Sequence, residues 1–360
     1  MYIPILKNRD QELKLMKNYS GCFSEKMIPL IEIIHEKKDE ICTIEGIQER
    51  LNGKEAFIDY FTFDVETYGK NVGVNKCNIA NDLRGNMKLY FEKIEKILKY
   101  DNLIPVVSIS NARDFTKEDL KAFLLRIKQN NKRVALRITD EYLYRYMTTI
   151  SEIIGKQDFF MFDIREQDID SKFMENEEIK SSNIVARKII LNSPRHRNIK
   201  NGSYGEDGED GEDGEDGEDG EDGWTNLIDN SVALKYKKEG FEGFGDFMGL
   251  KDALPGKSGG GKGVALALIY LYSKNKFYIV KNNDTIGDKK PVDQGLKGYE
   301  KVICKINLLD SKEFEKRDCA MFNELDTMQS GKEKKNGSWA TWNYLTMVRY
   351  LDQIHRHMIE

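Results

Sequence analysis

Histidine is nearly missing from this chain, with four residues among 360. Imidazole is the side chain that titrates near neutral pH and the commonest metal ligand, so its scarcity leaves little room for histidine-rich chemistry. Proline is also rare, at six residues, and together with 17 Tyr and 17 Phe this argues against global disorder. Cysteine occurs five times, at Cys22, Cys42, Cys77, Cys304 and Cys319. The number is odd, the spacing is scattered and no CxxC pair exists. Zinc knuckles and thioredoxin-like redox motifs are thereby excluded, and a reducing cytosol fits best. No apolar run reaches the roughly 18 residues of a membrane span. The start, "MYIPILKNRDQELK", lacks a basic stretch followed by an apolar one. The expected location is the cytoplasm, with no membrane partner.

Charge is plentiful but unevenly spread. Lys and Arg total 56 against 61 Asp and Glu, a net charge of -5. Six consecutive Gly-Glu-Asp triplets at 205–222 hold 12 of those acids, so the remainder has 61 − 12 = 49 acids against 56 bases, a net of +7. A mildly basic globule thus carries one acidic string. Such a balance permits a nucleic-acid partner without requiring one. Glycine at every third position suggests collagen, yet the triplets lack proline and adjacent acids repel. Glycine and like charge together predict a solvated, disordered loop over 203–223. Doubling such a loop costs only about 0.6 kcal/mol, so an expanded repeat is tolerable. The other readings are a nucleic-acid mimic, a tether to a basic partner and a nonspecific cation sponge.

Short apolar runs recur between helical patterns: "YIPIL" (2–6), "MIPLIEII" (27–34), "AFIDYF" (56–61), "LIPVVSIS" (103–110), "RVALRIT" (133–139), "FFMFDI" (159–164) and "RKIILNS" (187–193). Their spacing suits one strand plus one helix per unit. The longest interval holds an extra Gly/Asn-rich stretch at 62–85. Between the runs, "TKEDLKAFLLRIKQ" places Leu120, Phe123, Leu124 and Ile127 on one helical face, with Thr116 positioned as its cap. "GFGDFMGL" (243–250) supplies an eighth strand. The expected fold is α/β: a (β/α)8 TIM-barrel-like single domain spanning 1–360. "VALALIYLYS" and "KFYIVKN" predict a hairpin at 264–283, and helices are expected within 311–360.

Two features invite chemistry. "LPGKSGGGKGVALAL" nearly matches a phosphate-binding loop through Gly256, Gly261 and Lys262. Gly263 stands where Ser or Thr should be, and a strand-like segment follows where a helix is required, so an ATPase is not expected. The second feature is polar side chains inside apolar strands: Glu32, Asp59, Ser108, Ser110, Arg137, Thr139, Asp163, Arg165, Asn192 and Asp246. A buried charge must be paired or it costs several kcal/mol, on the order of the penalty for burying any unpaired ion. One reading makes them internal ion pairs, such as Glu32 or Asp163 with Arg137. The other gathers Glu32, Asp59 and Asp163 with Arg137 and Arg165 as a catalytic set at the barrel mouth. There Glu32, Asp59, Asp163 and Asp246 would hold Mg or Mn for phosphoester chemistry. His35 and His196 follow strands and are candidate general bases. His355 and His357, two apart, do not share a helical face.

The blocks "YIPILKNRDQEL", "IPLIEII", "KKEGFEGFGDFMGL" and "GGGKGVALALIYLY", in that order and spacing, resemble the bacterial and phage "beta protein" family. The resemblance covers nearly the whole chain. It implies association with anti-phage defence and mobile elements, and it brings no established catalytic residues to transfer. "NRDQEL" departs from the basic-and-Gln pattern usual near the start, which removes support for a binding role of Arg9 or Glu12. The functional expectation is a cytoplasmic, defence-associated protein that binds a protein partner encoded nearby, or nucleic acid, at the barrel mouth. The alternative is a metal-dependent phosphohydrolase or nuclease.

Overall fold

In the computed structural model, residues 1–36, 43–113, 115–129, 132–204, 223–257, 264–282, 285–286, 290–291, 296–330 and 334–359 are described. Eight parallel strands close into a barrel. Seven come in sequence: β1 (Tyr2–Lys7), β2 (Leu30–Glu32), β3 (Ala56–Asp59), β4 (Leu103–Ile109), β5 (Ala135–Thr139), β6 (Phe159–Asp163) and β7 (Arg187–Leu191). After a two-residue strand elsewhere, β8 (Trp224–Thr225), the barrel is completed by β9 (Gly243–Asp246), which pairs with both β7 and β1. Each strand matches an apolar run of the sequence. Burial on both sides explains why those runs are nearly continuous rather than alternating.

Helices alternate with the strands, and their apolar stripes face inward as the spacing predicts. The helix Lys117–Lys128 buries Leu120, Phe123, Leu124 and Ile127. Thr116 caps it, its Oγ1 accepting from the Asp119 amide at 3.0 Å. The 62–85 stretch forms two short helices, Val65–Tyr68 and Asn78–Asp82, with a 3-10 turn between them. Phe61, Phe63, Val72, Cys77 and Ala80 build a small apolar cluster with Ile34, against which Val65, Tyr68 and Leu254 pack. That cluster fastens the insertion to the strand ends.

The sequence reading takes 1–360 as one domain, whereas the chain divides into two compact units. The barrel unit comprises Met1–Ser193, Ser231–Phe247 and Ala253–Ser258; the second comprises Pro194–Asn230, Met248–Asp252 and Gly259–Glu360. The second unit has its own core. There β10 (Leu266–Leu271) and β11 (Lys276–Lys281) form the expected antiparallel hairpin, and β8 adds to β11 as a third strand. The helix Trp339–Ile354 packs on it, with the Tyr270 and Tyr350 rings 4.3 Å apart. Arg349 is fully buried and donates from Nε to the Tyr270 carbonyl at 2.8 Å and from Nη2 to that of Phe314 at 3.0 Å. Within 311–360 the helices are Ala320–Ser330 and Trp339–Ile354; a further helix, Leu296–Leu308, precedes them. The triplet repeat at 205–222, Cys42, Gly261, Lys262 and Gly263 lie outside the described residues. Among the described residues no helix is long and apolar enough to cross a membrane.

Candidate functional site

The polar strand residues converge because parallel strands in register place their last residues side by side. Lys7 pairs in register with Glu32, and Glu32 with Asp59, across β1, β2 and β3. Thr139 and Asp163 pair likewise across β5 and β6. All lie at the C-terminal ends of their strands, the end where barrel enzymes and binding proteins keep their sites.

Arg137 is the hub. Its Nη1 donates to Glu32 Oε1 at 2.8 Å and to Asp59 Oδ2 at 3.0 Å, and its Nε to Asp163 Oδ2 at 2.8 Å. Lys7 closes the other side of Glu32, Nζ to Oε2 at 2.5 Å. Ser108 Oγ donates to Asp59 Oδ2 at 2.7 Å. All of these ions are buried, with Glu32 at 0% and Arg137 at 3% exposure. Burial alone would lower the pKa of Arg137, but Asp163, Glu32 and Asp59 outweigh it and hold it well above the ordinary value. Burial would raise that of Asp163, but Arg165 and Arg137 outweigh it and hold the carboxyl below the usual range. Arg165 has a left-handed backbone, φ +56°, rare for a residue with a side chain. The turn is held by its amide donating to Asp163 Oδ1 at 3.0 Å. The Arg165 side chain reaches Asp163 Oδ2 at 3.3 Å and donates to the Tyr68 hydroxyl at 3.0 Å.

Glu32, Asp59, Asp163, Arg137 and Arg165 are therefore brought together. Asp246 accepts from the Tyr2 hydroxyl at 2.9 Å and does not line the cavity at the mouth. The donor set does not suit a divalent cation: the space between the carboxylates is filled by the guanidinium of Arg137. Among the described residues no group of three or more His, Cys, Asp or Glu side chains is arranged to hold a metal ion. His35 is half-buried, its amide donating to Asn8 Oδ1 at 3.3 Å, and it does not line the cavity. His196 is exposed and belongs to the second unit. Arg9 pairs with Glu12 on the first helix.

Three residues escape a reading of strands alone. Lys7 ends β1 and looks like an ordinary solvated terminus, although its place at the end of an apolar run, like that of Asp59, is the available signal. Tyr68 belongs to the insertion. Arg113 lies in the tight turn after β4, where Ser110 and Arg113 exchange backbone hydrogen bonds of 3.1 and 2.8 Å. Its guanidinium stacks 3.5 Å above the centroid of the Tyr90 ring. Burial pushes the Tyr90 hydroxyl up to about 12, so that ring stays neutral beneath the cation.

A cavity of about 10 Å³ opens among these groups, enough for one water-sized atom. Its lining residues include the acids Asp59 and Asp163, the bases Arg113, Arg137 and Arg165, and the hydroxyl-bearing Thr62, Ser108, Ser110 and Thr139. Two negative and three positive groups leave it net positive. A wider depression of about 70 Å³ shares Thr62, Ser110, Thr139 and Arg165 with it and bears Asp64, Asp140 and Glu141. Asp140 is neutralised by Lys172, and the Asp64 carboxylate caps the helix Val65–Tyr68, accepting from the Thr67 amide at 2.6 Å. The mouth is basic inside and acidic outside.

No curated protein and no solved structure was found to match the chain. The family model described as "Beta protein" matches residues 2–188, which include six of the eight barrel strands whole, the first two residues of β7, Arg113 and the whole Arg137 network. More than half of the chain is covered, and the protein belongs to the Beta protein family.

Proposed function

We propose that this protein is a binding component, not a metal-dependent hydrolase, and that its barrel mouth takes a compact anionic group displayed by a protein partner. The observation that carries the reading is Arg137. It occupies the centre that a catalytic cation would need, while Arg113, whose Nε and Nη1 have no hydrogen-bond partner among the described residues, adds positive charge to the cavity wall. Carboxylates already bonded to a buried guanidinium gain little from a hard cation that would have to displace it. The acidic outer depression disfavours a nucleic-acid strand, whose phosphates would pass Asp64 and Glu141 before reaching an arginine. A single anionic group presented by a protein meets that repulsion once and beside Arg165, whereas a strand meets it at every phosphate along its backbone. The setting implied by the family resemblance, a defence-associated component of the cytoplasm, forms part of this proposal. Scattered cysteines without a CxxC pair support a reducing compartment.

The test is a pair of measurements on the full chain. Generic phosphodiesters and nucleic acids are incubated with the protein in Mg²⁺ or Mn²⁺, and anion binding is followed by calorimetry. The expected result is no turnover, with anion binding that is lost in Arg165→Ala. Metal-dependent cleavage that disappears in a folded Asp163→Ala variant would overturn the proposal in favour of the hydrolase.

A further inference from the structure

We propose that the mouth is selective for a phosphoryl group that still carries a proton: hydrogen phosphate, or the monoanion of a phosphate monoester. This rests on the anion-binding reading above and names its ligand. Two buried groups on one cavity wall carry the argument. Arg113 is 3% exposed, and only its Nη2 is satisfied, donating to the Tyr60 carbonyl at 2.9 Å. Its Nε and Nη1 have no hydrogen-bond partner among the described residues. Asp59 is 1% exposed; its Oδ2 is bonded to Ser108 and Arg137, while its Oδ1 has no hydrogen-bond partner among the described residues.

Buried polar groups in folded proteins are almost always satisfied, and leaving a charged one unsatisfied is costly. Here the two unsatisfied groups have opposite needs. Arg113 requires an acceptor and Asp59 Oδ1 requires a donor. The cavity they line holds about one water-sized atom. A protonated phosphoryl oxygen meets both needs at once, accepting from Arg113 and donating its proton's hydrogen bond to Asp59. The other phosphoryl oxygens then lie in the wider depression beside Ser110, Thr139 and Arg165, three of the four residues shared by the two spaces. Sulfate has the same shape and is fully ionised at neutral pH. It would set an oxygen without a proton against the Asp59 carboxylate, and a carboxylate ligand would do the same.

The discriminating experiment is calorimetric titration of the full chain with inorganic phosphate, sulfate and phenyl phosphate. Phosphate is expected to bind, with sulfate on the order of 100-fold weaker, the scale of rejection when a buried polar group is left unpaired. The two phosphate sources separate by pH. Phenyl phosphate loses affinity as pH rises through its second pKa of about 6, whereas inorganic phosphate keeps a proton well above that value. Arg113→Gln is expected to abolish phosphate binding while the melting temperature shows a folded protein. In Asp59→Asn the amide supplies a donor, and the gap between sulfate and phosphate closes. If Asp59→Asn does not fold, the wild-type ratio of phosphate to sulfate decides alone. Equal affinity for the two anions would overturn the selectivity and leave anion binding standing. No binding of either, with the cavity filled by a water molecule only, would overturn both.

Discussion

At the scale of single residues, Arg137 has the most depending on it. Three buried carboxylates share its guanidinium. Removing one member of a buried ion network strands the others, at a cost of about 3–5 kcal/mol. Arg137→Met, which keeps much of the volume, is expected to lose stability on that scale in urea unfolding at pH 7. The pH dependence follows from Asp163, whose folded pKa is depressed. A depressed carboxyl contributes stability that is present above its unfolded pKa of about 3.9 and is lost as pH falls through the lower folded value. In the variant one of the two guanidiniums that oppose burial is gone, Arg165 alone remains, and burial favours the protonated acid more than in the wild type. The deficit relative to wild type is therefore largest near neutrality and shrinks as pH drops toward 4. A deficit of equal size at pH 7 and pH 4.5 would show that Arg137 acts through packing alone. Much of this network was legible from the chain, because a charged residue within an apolar strand is conspicuous: Glu32, Asp59, Arg137 and Asp163 all stand out that way. Arg113 was not legible. In "SISNARDF" an arginine looks like any turn residue, and only the fold reveals that it is buried over Tyr90.

At the scale of elements, closure of the barrel depends on β9. This strand is squeezed between β7 and β1, and its sequence "GFGD" alternates glycine with larger residues. A Cβ on Gly245 would sit 2.5 Å from the Ile3 carbonyl oxygen and 2.7 Å from Leu191 Cδ2, and one on Gly243 would meet the Met1 carbonyl oxygen at 2.7 Å. Neighbouring backbone cannot yield as a flexible side chain can. Gly245→Ala is expected to destabilise by about 1–3 kcal/mol, the usual cost of overpacking. Gly21→Ala, where nothing lies within 4 Å, is expected to change stability by less than about 0.5 kcal/mol in the same thermal melts. Similar losses at both positions would count against this account of closure. The barrel strands could be read because fully buried parallel strands need continuous apolar runs, and the intervening helices because their stripes recur every three or four residues. Strand limits were harder. "MIPLIEII" is apolar at every position but Glu32, yet the strand spans only Leu30–Glu32: the Ile33 amide makes a last bond to the Asp59 carbonyl at 2.8 Å, and Ile33 and Ile34 stay buried beyond the strand. The second unit was read only in part: its hairpin shows in β-branched and aromatic runs, but separate compactness has no signature in local pattern.

At the scale of the whole molecule, charge is the property most open to experiment. The 12 acids of the triplet repeat convert a chain of net +7 into one of net -5. Surface charge of either sign acts at a distance through the potential it sets up, and this potential is screened within about 8 Å at physiological salt. A basic protein binds nucleic acid nonspecifically by releasing condensed counterions, and an acidic string on the same chain competes with the phosphates for its lysines and arginines. Excising residues 205–222 is expected to raise duplex-DNA affinity by at least about tenfold at 50 mM salt, the steepness counterion release imposes on a handful of phosphate contacts. The difference should fade as salt rises. Excision joins Tyr204 directly to Gly223, and a matched variant with the 12 acids replaced by serine keeps the length of the segment, so in it the melting temperature should hold while binding changes. Fluorescence anisotropy across a salt series reads both parts. Equal DNA affinity with and without the repeat, at low salt, would mean that its charge is not felt by the rest of the chain. A rise in DNA affinity together with unchanged phosphate binding would show that the two anion preferences have different origins, diffuse surface charge for one and the buried arginine of the barrel mouth for the other.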